Sequence, residues 1–154
     1  KRWPAHKWKE FCLRMDHPII LLGDKNDAAM GEEIAAADPV KVYNSCGKFS
    51  LNESADLVRK ARLVISNDTG LMHIAAACQK PIISLWGNTV PSFGMYPYYG
   101  NKHADAQRFD IIQTNKLWCR PCSKIGYDKC PLRHFKCMEN IEVSEVLERA
   151  RQRL

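Results

Sequence analysis

Short apolar runs alternate with amphipathic stretches along most of the chain, and the alternation predicts strands each followed by a helix. Pro18-Ile19-Ile20-Leu21-Leu22-Gly23, Val40 to Tyr43, Leu63 to Ile65 and Pro81-Ile82-Ile83-Ser84-Leu85-Trp86-Gly87 are strand candidates. They are nearly continuous in apolar character, as strands buried on both faces are. Between them, Trp3-Pro4 opens a helix with Trp8, Phe11, Cys12 and Met15 on one face, and Asp24 to Asp27 turn into an Ala-rich helix ending near Ala37. Ser50-Leu51-Asn52-Glu53 has the Ser-x-x-Glu pattern of a capping box ahead of Leu57, Val58 and Ala61. Asp110-Ile111-Ile112 is a last short strand. Val143, Val146, Leu147, Ala150 and Leu154 then mark a helix over about 143–154, with Arg149, Arg151 and Arg153 solvated or capping its end. This order predicts an α/β, Rossmann-like parallel sheet with helices on both faces, formed by one domain over 1–154.

The chain is organised around Val64-Ile65-Ser66-Asn67-Asp68-Thr69-Gly70-Leu71-Met72-His73, where a buried strand, a polar elbow and a helix start follow one another. Gly70 lets a ligand approach the backbone, and the first-turn N–H groups with the positive end of the helix dipole favour an anion. A phosphate suits that place; a simple helix cap by Asp68 or Thr69 is the competing reading. In a doubly wound sheet the loops after the strands share one rim, which places the turns at 23–27, 44–49, 67–70 and 87–91 together. On that rim Asp27 suits a ribose hydroxyl or a helix cap, Phe49 a base or a hydrophobic staple, and His73 a phosphate or an ordinary helix environment. Asn88 to Tyr99, rich in Pro, Gly and Tyr, reads as a long functional loop or as a surface loop pinned by its rings.

Composition narrows the classes. The 154 residues are 45% hydrophobic, enough for a core, and no apolar run approaches the roughly 20 residues a bilayer span needs. No export signal is visible at Lys1-Arg2-Trp3-Pro4. Lys and Arg number 23 against 17 Asp and Glu, a net charge of +6 that suits phosphorylated ligands, anionic lipid surfaces or nucleic acid.

Asn67-Asp68-Thr69-Gly70-Leu71-Met72-His73 with Ala75-Ala76-Ala77, preceded by Lys1-Arg2-Trp3-Pro4 and followed by Trp86-Gly87-Asn88-Thr89-Val90-Pro91, resembles glycosyltransferase family 9, the ADP-heptose:lipopolysaccharide heptosyltransferases. The resemblance covers the C-terminal, donor-binding half of the two-domain GT-B architecture, without that half's first strand. It implies an inverting transfer of heptose from ADP-heptose to the lipopolysaccharide core, with no required metal or other cofactor. It also implies a cytoplasmic location with peripheral contact at the inner membrane face. By the same resemblance, Lys1 contacts the diphosphate and sugar, Asp27 the ribose and Phe49 the adenine. Asp68 holds sugar hydroxyls, Thr69 and Gly70 cradle the diphosphate with their amides, and His73 supports it. The family's proposed catalytic base and its acceptor site belong to an N-terminal domain outside these residues, so no catalytic residue is expected here and the fragment alone is expected to be inactive. Asn88 departs from the family, many members of which carry proline there.

Seven cysteines are many for a chain of this size. Cys12, Cys46 and Cys78 are scattered and read as ordinary buried thiols. Cys119-x2-Cys122-x7-Cys130-x6-Cys137 is a cluster with interleaved basic residues, a pattern open to a structural zinc, to disulfides or to reduced thiols. Two other functions fit parts of the sequence. One is a non-catalytic nucleotide-binding module. The other is a zinc-stabilised nucleic-acid-binding protein, against which stand the modest charge and the absence of an interleaved aromatic platform. No nucleic-acid partner is therefore expected.

Overall fold

The computed structural model describes residues 2–100 and 108–154. They form two compact units. Pro4–Leu57 is the smaller; Val58–Leu154, with the first residues of the chain through Trp3, is the larger.

In the smaller unit β1 (Ile19–Leu21) pairs in parallel with β2 (Val42–Asn44), Ile19 opposite Val42. Helix α1 (Ala5–Arg14) follows Pro4 as predicted and buries Phe11 and Cys12. It packs on α2 (Ala28–Ala35), which a 3-10 turn at Lys25–Asp27 leads into. Strand β2 begins later than its apolar pattern suggests, and Val40 is 98% exposed. The cause is a turn closed by Asp38, which accepts from the Lys41 N–H at 3.1 Å and pairs with its ammonium at 3.0 Å. The Lys41 hydrogen bond holds the Asp38 carboxyl below its ordinary pKa. The capping box is present: Glu53 accepts from the Ser50 N–H at 2.8 Å at the start of α3 (Leu51–Lys60).

In the larger unit β3 (Val64–Asn67), β4 (Ile82–Trp86) and β5 (Phe109–Gln113) form a parallel sheet in that order. The described residues thus form two parallel ladders, β1–β2 and β3–β4–β5, where the alternation predicts one sheet. All of β4 is buried, and since successive side chains point to opposite faces, both faces are covered. Helix α4 (Gly70–Ala77) packs on β3 and β4, while α5 (Lys136–Glu139) and α6 (Val143–Arg153) pack on β4. Helix α6 buries Val143, Val146, Leu147 and Ala150 as its spacing predicts. Arg153, expected in solvent, instead donates through Nε to Asp110 Oδ2 at 2.8 Å, because β5 ends up beside the last turn of the helix. Trp3 is fully buried; its ring N–H donates to the Ile141 carbonyl at 3.3 Å and its backbone N–H to Asn67 Oδ1 at 3.1 Å. Among the described residues no helix is long and apolar enough to cross a membrane.

Packing in the smaller unit turns on the buried Asn44 carboxamide. It donates to the Ala28 carbonyl at 3.1 Å and to Glu32 Oε1 at 2.8 Å, and accepts from the Cys46 N–H at 3.1 Å, which fastens β2 to α2. A Cβ on Gly31 would overlap that carboxamide. Gly31→Ala is expected to destabilise the protein by about 1–3 kcal/mol, the usual cost of overpacking, despite the better helix propensity of alanine. A urea midpoint at or above that of the parent would show that α2 and β2 can separate without cost.

Candidate functional site

Strand β3 runs to Asn67, so Ser66 and Asn67 belong to the ladder and the elbow is confined to Asp68 and Thr69. Thr69 has the extended backbone of an N-cap residue (φ −143°, ψ 168°), yet its side chain makes no cap hydrogen bond. Its hydroxyl lies 3.1 Å from that of Ser66 instead, which argues against the simple cap reading for Thr69. The first-turn N–H groups of α4 are therefore not taken up by that side chain. Gly70 is exposed, and a Cβ there would meet no described atom within 4 Å. Neither crowding nor a left-handed φ requires glycine at that position. Asp68 is half-buried, and its Oδ2 accepts a hydrogen bond from the Thr89 hydroxyl at 2.9 Å. His73 lies one helical turn beyond Gly70 and is half-buried. Asp68, Thr69, Gly70 and His73 are thus brought together at the C-terminal end of β3, where open parallel sheets bind ligands.

Of the remaining predicted residues, Asp27 and Phe49 belong to the smaller unit. Lys1 lies outside the described residues. Asp27 forms a reciprocal capping box with Asp24, accepting from the Asp24 N–H at 3.1 Å, and the absence of a side chain at Gly23 leaves room for its carboxylate. Phe49 is 39% exposed, so its ring has a face available. Sequence reasoning missed Thr89, whose local signal was a polar pair, Asn88-Thr89, directly after a buried strand. It also missed Arg120, which nothing local separates from its basic neighbours. No elbow residue lines the cavity of about 410 Å³, whose walls include Val90, Pro91, Gln113, Thr114, Leu117 and Arg120. Shallow polar elbows at helix starts do not need an enclosed cavity to hold an anion, so the elbow remains the candidate.

The sequence pattern of glycosyltransferase family 9 (heptosyltransferase) matches residues 1–127. The chain belongs to glycosyltransferase family 9. Among its relatives, lipooligosaccharide heptosyltransferase 2 of Haemophilus influenzae is 40% identical over 100 residues, covering 60% of this chain and 29% of the relative. The enzyme of that name from Campylobacter jejuni serotype O:2 is 28% identical and covers all of this chain and 47% of the relative. The structure of Escherichia coli ADP-heptose lipopolysaccharide heptosyltransferase II superposes with a TM-score of 0.75 at 24% identity, over 99% of this chain and 41% of that one. The fold is therefore the α/β, Rossmann-like arrangement of these proteins, and this family 9 chain spans less than half the length of each of them.

The family 9 chain carries Cys119, Cys122 and Cys130 in an irregular segment and Cys137 in α5. All seven cysteines are free thiols. Cys119 Sγ lies 3.8 Å from His134 Nε2, and the Cys122 thiol donates to the Cys119 carbonyl at 3.4 Å. Among the described residues no group of three or more His, Cys, Asp or Glu side chains is arranged to hold a metal ion. The donor chemistry of Cys119, Cys122, Cys130 and Cys137 suits zinc. The thiols differ in acidity. Burial pushes Cys12 up to about 11 and also raises Cys137, while at Cys130 the effect of burial is outweighed by the backbone N–H groups of Phe135, Leu132, His134 and Arg133, which lower it. Since the thiolate is the nucleophile, brief alkylation at about pH 7.5 is expected to modify Cys130 well before Cys12 or Cys137. Peptide mass spectrometry reads the order, and early labelling of Cys12 would contradict this account of the thiols.

Proposed function

We propose that this chain is the donor-binding half of an inverting glycosyltransferase that transfers heptose from ADP-heptose to the lipopolysaccharide core. The observation that carries the reading is the elbow at Asp68-Thr69-Gly70, a helix start not capped by the Thr69 side chain and preceded by a carboxylate, in a chain of family 9. Gly70 supports it, since nothing among the described residues asks for glycine there and a diphosphate pressed against the backbone would. In this reading the amides of Thr69 and Gly70 receive the diphosphate, His73 supports it, and Asp68 accepts from sugar hydroxyls. Asp27 and Phe49 take the ribose and the adenine by their positions in the family pattern. Lys1 supplies a cation to the diphosphate. The anchoring of Trp3 to Asn67, two residues after Lys1, supports that role. A related E. coli heptosyltransferase was solved with ADP, which supports an adenine nucleotide.

The chemistry follows from the charges. As the bond between the anomeric carbon and the diphosphate breaks, negative charge grows on the departing ADP. A helix N-terminus and a lysine already in place stabilise that charge without reorganising, and they do so more in the transition state than in the ground state. The hydroxyl that attacks belongs to the lipopolysaccharide acceptor, and the base that takes its proton comes from the acceptor half of the enzyme.

Two measurements on the complete polypeptide test the proposal. Calorimetric titration with a chelator present is expected to show ADP binding tighter than UDP binding. Asp68→Ala is expected to lower kcat/KM for ADP-heptose by about 10–100-fold, the loss of a charged hydrogen-bonding group, while the circular dichroism spectrum is unchanged. Near-normal turnover would remove Asp68 from the site. ADP binding without any heptosyl transfer would instead leave a nucleotide-binding module.

A further inference from the structure

Thr89 is 2% exposed and lies just beyond the end of β4. Its hydroxyl reaches across to Asp68, so the orientation of that carboxylate depends on where the Asn88-Thr89 loop is held. The holding groups come from the cysteine-rich segment. Arg120 Nη2 donates to the Thr89 carbonyl at 2.8 Å and to Gln113 Oε1 at 2.9 Å, and Nη1 donates to the Thr114 carbonyl at 2.6 Å. The Cys122 N–H donates to the Asn88 carbonyl at 2.9 Å, and Asn88 Nδ2 donates to the Tyr127 carbonyl at 2.8 Å. The loop that positions Asp68 is therefore fixed on both of its polar residues by one irregular segment.

The chemistry of Arg120 marks it as the principal clamp. Its guanidinium is half-buried, and all three of its hydrogen-bond acceptors are neutral oxygens. Its Nε is buried with no hydrogen-bond partner among the described residues. Withdrawing a cation from water without a counter-ion is costly, and a fork of donors matched to oxygens on two chain segments is the return: it fixes their spacing in a way that a single flexible ammonium cannot.

We propose that Arg120 is a positioning residue for Asp68, acting through the carbonyl and hydroxyl of Thr89. The proposal rests on the reading of Asp68 as a donor-site carboxylate. It gives the cysteine-rich segment a role in the transfer reaction itself, as the strap that sets the angle at which Asp68 meets the sugar. Arg120 touches no substrate atom in this scheme.

A mutant cycle in the complete enzyme tests it. Arg120→Lys and Thr89→Val are each expected to lower kcat/KM for the nucleotide sugar about tenfold, with ADP affinity kept within about twofold because the diphosphate and adenosine contacts lie elsewhere. Thr89→Ser, which keeps the hydroxyl, is expected to restore most of the loss. In an Asp68→Asn background, Arg120→Lys is expected to have little further effect, since the group it orients is already disabled. Losses that multiply in that background, or ADP affinity that falls in step with turnover, would make Arg120 a structural cross-link and overturn the proposal alone. A parent enzyme that neither binds ADP nor transfers heptose would overturn the donor-site reading and this proposal with it.

Discussion

A parallel strand buried on both faces constrains everything around it, and in the larger unit that strand is β4. Its five side chains, Ile82 to Trp86, lie in the core, so no polar group along its length can reach water. Ser84 meets the requirement by donating its hydroxyl to the Asp110 carbonyl of β5 at 3.0 Å. The helices that cover the strand are α4, directly before it in the chain, and α5 and α6 from the C-terminal part. The sheet therefore cannot be covered until the last residues have docked, and the salt bridge from Arg153 to Asp110 ties that end to β5.

The same constraint explains the irregular segment. Burial does not stop at Trp86 but continues through Asn88 and Thr89, which are 4% and 2% exposed. Polar residues buried beyond the end of a strand have no ladder to satisfy them, and leaving their carbonyls unpaired would cost more than the hydrogen bonds themselves contribute. The segment from Arg120 to Tyr127 supplies partners for both backbone carbonyls and for Asn88 Nδ2. A stretch with no helix or strand of its own is thereby as necessary to the sheet as a helix would be, and it occupies the end of the sheet where chemistry takes place in this architecture.

How far the sequence alone reached depended on the range of the interaction concerned. The capping box at Ser50, the burial of α6 and the continuous apolar run of β4 are local patterns, and each is where its residues indicate. The elbow at Asp68-Thr69-Gly70 was legible for the same reason, as a strand, a turn and a helix start within a few residues. Errors arose where partners are far apart. Val40 looks like strand but is drawn into the turn that Asp38 and Lys41 close, and Arg153 looks solvated but meets a carboxylate on β5. Whether the strands form one ladder or two is likewise a matter of long-range pairing that periodicity does not encode. Thr89 and Arg120 are the clearest instance, since their importance lies in contacts 21 and 31 residues away along the chain.

Two glycines show how fold and site can be told apart. Gly31 is demanded by the protein's own packing: the Asn44 carboxamide occupies the space a side chain would need. Gly70 is demanded by nothing among the described residues, for its surroundings there are open and its backbone lies outside the left-handed region. A residue type that costs helix stability and relieves no internal crowding makes sense if the crowding comes from outside. At the first turn of α4, beside a carboxylate held by Thr89, the guest that would press on the backbone is one that the N–H groups attract, an anion carrying hydroxyls on its far side. A sugar joined to a diphosphate has that shape and charge. In the proposed reading the elbow meets its ligand through an open space in the packing, and the clamp behind Thr89 sets the direction of the carboxylate at its edge.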